Sequence, residues 1–451
     1  MPAGVADGER RGDGRADDDR TDDGADVAVR RAPFSDNPLV GARGQRTQQR
    51  IVDAALRVFG EEGYHRCGVA RITELAGCSR ASFYQYFSGK EDVFRHLSGQ
   101  VARQLSASTE ALGLVTADAE GWRSIRAWVA RYADVFERYE PVFEVFQAAA
   151  ESDAAVAGGS VRTSERHVAA FRSRLTATTL PPRQLDPVIG MLHTCVPRTF
   201  DVAGILRSAS PAAYPRERIE DAVADVVHRT LFGLQAVNVH PPPRRRPPSL
   251  RFSPGVQESL ADDGAARNLT PAGRRTLEAL SAAGRELFAS RGYHDTRIND
   301  IAAAAGLSKG AFYRYFESKD HLVQVLAVQA VRTVSTALVD FPDASPNGAA
   351  RTAAIRRWLR RYNATQAGEA AMIRVWNDAA IEDATFASDA AAALDWGRRR
   401  MATFLRPRGF GDIDSEAVMG VALLSTFGAR ERPAVAIDAA AHIIERGFLG
   451  L

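Results

Sequence analysis

Lys90, Lys309 and Lys319 are the only lysines among 58 basic residues, and all three lie in two aromatic-rich stretches. These are SRASFYQYFSGKED at 79–92 and SKGAFYRYFESKDH at 308–321. Tyrosine hydroxyls and a lysine at a helix start both suit phosphate oxygens. The hydroxyl donates a hydrogen bond, and the ammonium adds its charge to the unpaired N–H groups of the helix end. Tyr84 with Lys90, and Tyr313 with Lys319, are therefore candidate phosphate contacts. Tyr86 and Tyr315 are weaker ones, and any of these rings can serve instead as core. Enzyme chemistry has no comparable signal. HExxH, GxxxxGK[ST], GxSxG and a strand-linked dinucleotide fingerprint are all missing, so no catalytic activity or cofactor is expected. Cys67, Cys78 and Cys195 form no CxxC pair, which argues against a zinc cluster or disulfide framework and for a reducing cytoplasm.

The elements that position these residues occur twice. Phe59, Gly63, Tyr64, Ile72, Gly77, Ser79, Phe83, Tyr84, Phe87, Lys90 and Leu97 recur without a gap as Phe288, Gly292, Tyr293, Ile301, Gly306, Ser308, Phe312, Tyr313, Phe316, Lys319 and Leu326. Further on, IRAWVARY at 125–132 echoes IRRWLRRY at 355–362, Gly190 in VIGM echoes Gly420 in VMGV, and DVVHRTLFGL at 225–234 echoes HIIERGFLGL at 442–451. A complete unit is duplicated. The periodicity is helical throughout: Ile51, Ala54, Ala55, Val58 and Phe59 share one face, as do Leu280, Ala283, Gly284, Leu287 and Phe288. Gly63 and Gly292 should stop those helices. A short helix over about 69–76 closes at Gly77, and Ser79 caps a third over 80–87. Ser88 and Glu91 form a capping box for a fourth.

Two short helices separated by AGCS or AGLS make a helix-turn-helix, whose second helix enters the DNA major groove. Arg80 and Lys309 can address guanine edges, and Ser82 can hydrogen-bond. Ala81, Gly310 and Ala311 leave room for close approach, while Gln85 and Arg314 differ between the halves. The whole stretch resembles the DNA-binding domain of TetR-family transcriptional regulators, whose motif is like GxSKGxxYxxFxSKExL. The resemblance implies an all-α fold of two tandem units, each a helix-turn-helix domain followed by a helical effector and dimerisation bundle. It implies a double-stranded DNA operator as partner and a repressor released by ligand. Because the two recognition helices are unlike, two non-identical half-sites are expected, about one DNA turn apart. The family carries Thr near the start of helix 2. The second half has Thr296, the first has Cys67-Gly68, so a phosphate contact is missing there and its helix starts weakly. The rival reading is a helical ligand-binding or interaction protein in which one helix-turn-helix alone binds DNA.

Residues 41–100 and 271–330 are the expected DNA-binding domains, with effector and dimerisation bundles over 101–235 and 331–451. By the resemblance, pairing uses about 186–205 with 216–234, and 414–429 with 434–450, giving an intrachain pseudo-dimer open to further self-association. Trp128, Tyr132, Phe136, Phe143, Phe146 and Met191 are candidates for a first effector pocket, and Trp358, Tyr362, Met372, Trp376, Trp396 and Phe404 for a second. Such aromatic stripes serve either as core or as ligand box. An apolar effector, by resemblance a lipid or acyl derivative, would suit them. The Asp/Arg/Gly-rich tail 1–40 reads as disordered, and the Pro/Arg-rich segment 236–270 as a linker, either a solvated spacer or a DNA-binding arm. Net charge is only +3, with 45% hydrophobic residues. The longest apolar run is at 417–429, short of a membrane span.

Overall fold

The computed structural model describes residues 41–451 apart from 65, 153, 240–246, 255, 257–268, 343–347, 381–383 and 428–432. The N-terminal tail and most of the Pro/Arg-rich segment thus lie outside the described residues. In the first half the helices are α1 (Ala42–Glu62), α2 (Val69–Ala76), α3 (Arg80–Tyr86), α4 (Lys90–Glu110), α5 (Ala119–Arg138), α6 (Glu140–Ser152), α7 (Ala154–Arg174), α8 (Pro182–Ala209) and α9 (Arg216–Phe232). In the second they are α10 (Pro271–Asp295), α11 (Ile298–Ala304), α12 (Lys309–Phe312), α13 (Lys319–Val339), α14 (Gly348–Ala380), α15 (Ala384–Leu405), α16 (Ile413–Ser425) and α17 (Pro433–His442). A π-helical turn, Ile443–Phe448, continues α17. Among the described residues there is no strand, only one isolated bridge between Val115 and Leu175.

Local chemistry sets the helix ends. Gly77 adopts φ 60°, ψ 43° after α2, a left-handed conformation that side chains with a Cβ resist. Ser79 accepts the Ser82 N–H at 3.1 Å, and Ser308 accepts that of Ala311 at 3.2 Å, so each recognition helix starts on a serine cap. The expected Ser88–Glu91 box does not form. Asp92, one residue further, accepts the backbone N–H and hydroxyl of Ser88, and Gly89 is the capping residue. The second recognition helix is shorter than expected, four residues against seven. Gly310 stands where the first half has Ala81, and glycine weakens a helix by about 1 kcal/mol relative to alanine.

One difference between the halves follows from a single residue. Pro141, whose ring cannot sit in a helix interior, lies where α5 gives way to α6 at Tyr139. The second half has Ala371 there, and α14 runs on as one helix of 33 residues.

The apolar interior does not divide at the linker. One core joins α1–α9 to Trp358 and Tyr362 of α14, Met401 and Leu405 of α15, and the inner faces of α16 and α17. A second core holds α10–α13 together with Met372, Val375 and Trp376 of α14 and Phe386 of α15. Helices α8 and α9 pack directly on α16, α17 and the π-turn. Part of the linker is docked rather than solvated. Leu250 N–H donates to Asp395 at 2.9 Å, and both the N–H and hydroxyl of Ser253 bind Asp389, so two buried carboxylates of α15 hold an extended strap. Helix α13 is long and apolar enough to cross a membrane, with mean hydropathy 1.6, although Arg332 and polar residues interrupt its apolar run. Its Leu322, Val323, Leu326 and Ala327 are buried in the second core.

Replacing Gly77 by Ala should cost about 1–2 kcal/mol, since nothing blocks the new methyl and the penalty is the left-handed backbone. Urea unfolding of the two proteins measures the difference.

Candidate nucleic-acid interface

Each helix-turn-helix is held by an aromatic spine. Phe83 and Phe87 are fully buried with ring centroids 6.0 Å apart, and Phe312 and Phe316 repeat this at 5.4 Å. These rings lock the recognition helix inward and turn the residues between them outward. Tyr84 is 46% exposed and Tyr313 49%. Arg80, Ala81 and Gln85 are exposed beside Tyr84, with Ser82 half-buried. Lys309, Gly310 and Arg314 are exposed beside Tyr313, with Ala311 half-buried. The structure thus gathers a guanidinium, a phenol and an amide on one helix face, and an ammonium, a phenol and a guanidinium on the other.

Five residues of these domains make contacts within their own half. Tyr86 is buried and belongs to the first core, and Tyr315 is half-buried against the second, because positions two after Tyr84 and Tyr313 turn back towards α1 and α10. Lys90 does not present its ammonium to solvent. Its Nζ donates to the carbonyls of Tyr64 at 2.8 Å and Cys67 at 3.2 Å, and sits 4.8 Å from the Tyr64 ring centre. Lys319 repeats the arrangement, with its Nζ 2.8 Å from Tyr293 O and 3.9 Å from the Tyr293 ring centre. Both ammoniums tie the first turn of the fourth helix to the end of the first. Thr296 is likewise buried, its hydroxyl donating to Leu287 O and Gly292 O. Cys67 replaces it as a buried thiol, pushed up to about 11 by burial. The difference between the halves at this position is one of packing.

Sequence reasoning missed a basic edge on α1. Arg43, Thr47 and Arg50 line a cleft of about 450 Å³ together with Gly77, Cys78, Ser79, Ser82 and Tyr86. Arg43, Arg46 and Arg50 follow the three-and-four spacing of one helix face, which was the available signal. The second half places Arg274 and Arg275 on α10.

Most of the aromatic candidates of the bundles are buried. Trp128, Tyr132 and Phe136 are buried, with Phe143 and Phe146 packed beside them. Met191 points elsewhere, its Sδ receiving the Thr426 hydroxyl at 3.7 Å across the contact between halves. In the second half Trp358 stacks on Tyr362 at 5.0 Å, and Phe404 packs on Phe341. Met372 and Trp376 belong to the other core, and half-buried Trp396 joins neither, so that candidate set is split. The first bundle carries a polar knot. His167 and His193 lie with ring centres 3.7 Å apart, His167 shares a 2.8 Å hydrogen bond with the Thr109 hydroxyl, and Trp128 Nε1 donates to that hydroxyl at 3.3 Å. Burial, and then the His193 charge, push His167 down to about 2; burial pushes His193 down to about 4.

Comparison with known proteins shows what two segments of the chain resemble. Residues 51–97 and 280–326 each match "Bacterial regulatory proteins, tetR family". The repressor AcnR of Corynebacterium glutamicum is 30% identical over 111 residues, 23% of this chain and 57% of that protein. The fatty acid metabolism regulator protein of Bacillus subtilis is 37% identical over 59 residues, 12% of this chain and 30% of that one. These relatives are thus matched over little more than half of their length or less. A solved TetR family transcription regulator from Marinobacter aquaeolei covers 38% of this chain and 95% of its own, at 18% identity and a TM-score of 0.23.

Lys90→Met should destabilise the first helix-turn-helix by about 1.5–3 kcal/mol, the range for hydrogen bonds to a charged group, while Tyr84→Phe should stay within about 0.5 kcal/mol. Urea titration separates the two. Acid stability has a defined sign. Both imidazoles are depressed below their ordinary 6.5, so the unfolded chain holds more protons, and stability falls as pH drops from about 6.5 towards 4. Urea midpoints between pH 7 and 4.5 should fall less steeply in His193→Gln than in the unaltered protein.

Proposed function

We propose, for a chain that belongs over residues 51–97 and 280–326 to the tetR family of bacterial regulatory proteins, that it is a cytoplasmic transcriptional repressor reading one asymmetric operator through two unlike recognition helices. The observation that carries this is the pair of outward faces: Arg80, Tyr84 and Gln85 on α3, Lys309, Tyr313 and Arg314 on α12, each raised on the same buried phenylalanine pair. The exposed phenols are placed to donate to phosphates, and the charged and amide groups to reach base edges. Arg43 and Arg50 add charge along the first of these faces. Residues 41–100 and 271–330 are the DNA-binding domains in this reading, and the remaining helices of each half are the effector and pairing bundles. Pairing is internal, α8 and α9 against α16 and α17, so one chain presents both readers.

The effector is apolar and enters the aromatic interior of a bundle; an acyl or lipid class is supported by the relative that regulates fatty acid metabolism. Release follows from linkage: a ligand preferring a form whose two readers no longer match the operator weakens DNA binding by the same factor. Stabilisation of the protein by fatty acyl compounds in a thermal-shift panel tests this class.

A second reading has one working reader. The four-residue α12 favours it and moves suspicion from the first half to the second.

Binding of the intact protein to fragments selected from random DNA decides between them. The proposal expects a bipartite site with two different halves, about equal losses from Arg80→Ala with Tyr84→Phe and from Lys309→Ala with Tyr313→Phe, and a salt slope lower by about 1 per phosphate contact removed. A clean palindrome overturns it, and loss confined to the first pair establishes the single reader.

A further inference from the structure

The contact between halves has a near two-fold arrangement in its backbone and a one-way arrangement in its side chains. Helices α9 and α17 align from their first residues to the matching ends at 225–234 and 442–451, which makes Arg229 the counterpart of Arg446 and Thr230 that of Gly447. The two arginines act alike: Arg229 Nε donates to Gly447 O at 2.7 Å, and Arg446 Nε to Thr230 O at 3.0 Å. The residues beside them do not. A Cβ added at Gly447 would lie 2.3 Å from the Thr230 hydroxyl and 3.0 Å from Val226, so the threonine of one half fills a space that exists because the other half has none. Two threonines in that place would collide, and two glycines would leave a void.

Charge has the same direction. Arg218 of α9 holds Asp412 with two nitrogens at 2.8 and 2.9 Å, while Asp412 also caps α16 by accepting the Ser415 N–H. The counterparts by alignment are Val435 and Pro182, which offer neither charge nor donor. Arg229, fully buried, also donates to Glu416 at 2.5 Å, whereas Asp186, the counterpart of Glu416, is bound within its own half by Arg172 at 2.8 Å.

We infer that the pairing face of the first half is built to accept the second half and to refuse its own kind. The partner that fits α8 and α9 is the α16–α17 face, and a like pair loses the Arg218–Asp412 contact and either collides or gapes at the Thr230 position. This inference rests on the internal pairing proposed above and is independent of DNA binding.

The test begins with the full chain carrying a protease site within 240–246. After cleavage, brief exposure to urea and dilution, native mass spectrometry reads which fragments associate. Only one-to-one pairs of first and second halves are expected, at the 48.9 kDa of the intact chain. A statistical mixture containing pairs of like halves overturns the inference. Gly447→Thr should weaken association of the cut halves about ten- to hundred-fold, the usual effect of overpacking a tight contact. The double variant Gly447→Thr with Thr230→Gly exchanges filler and space and should recover most of that loss; a double variant no better than the single also overturns it.

Discussion

A single ammonium in each half, turned inward onto the carbonyls that end the first helix, is the constraint on which the helix-turn-helix geometry depends. Lys90 and Lys319 close the gap between α1 and α4, and between α10 and α13, and each recognition helix packs on the short helix before it. This accounts for lysine in a chain that uses arginine almost everywhere else. An ammonium is a compact charge with three rotatable donors, able to serve carbonyls and a ring face together; a planar guanidinium presents a rigid fork instead. The third lysine, Lys309, lies outside this scheme, exposed at the start of α12.

Much of the fold was legible because its signals are local. Helix faces such as Ile51–Phe59, the glycines at 63, 77 and 292, and the serine caps at 79 and 308 depend on residues within one or two turns. The site was legible in part. Spacing identified Tyr84 and Tyr313 as outward, but the same tyrosine type two residues later faces the core, since a helix turns about 100° per residue. The lysines carry a contact that no local signal shows: a helix start suggests an anion, and only the tertiary position of Tyr64 and Tyr293 brings their carbonyls to the ammoniums. Nothing local could reveal that Asp389 and Asp395 would hold the strap, because their partners lie some 140 positions away in sequence.

The two halves, so alike over 51–97 and 280–326, mount their helix-turn-helix domains differently. In the first, α1 rests on the short α6, where Gly60 leaves room for the ring of Pro141. In the second, α10 rests on the unbroken α14, and Arg285 is fixed to Glu369 at 2.8 Å. A proline break with apolar contact gives way more readily than a continuous helix carrying an ion pair, so the first domain has the softer mounting.

The meeting of Thr230 with Gly447 bears on how such a chain can change over generations. In a symmetric pair every substitution appears twice, and a residue near the axis must be compatible with itself. Here a substitution appears once across the contact between halves, and its neighbour there can be adjusted separately. The two exposed helix faces are released from the same bond, free to diverge from one another while the contact that joins their halves stays matched.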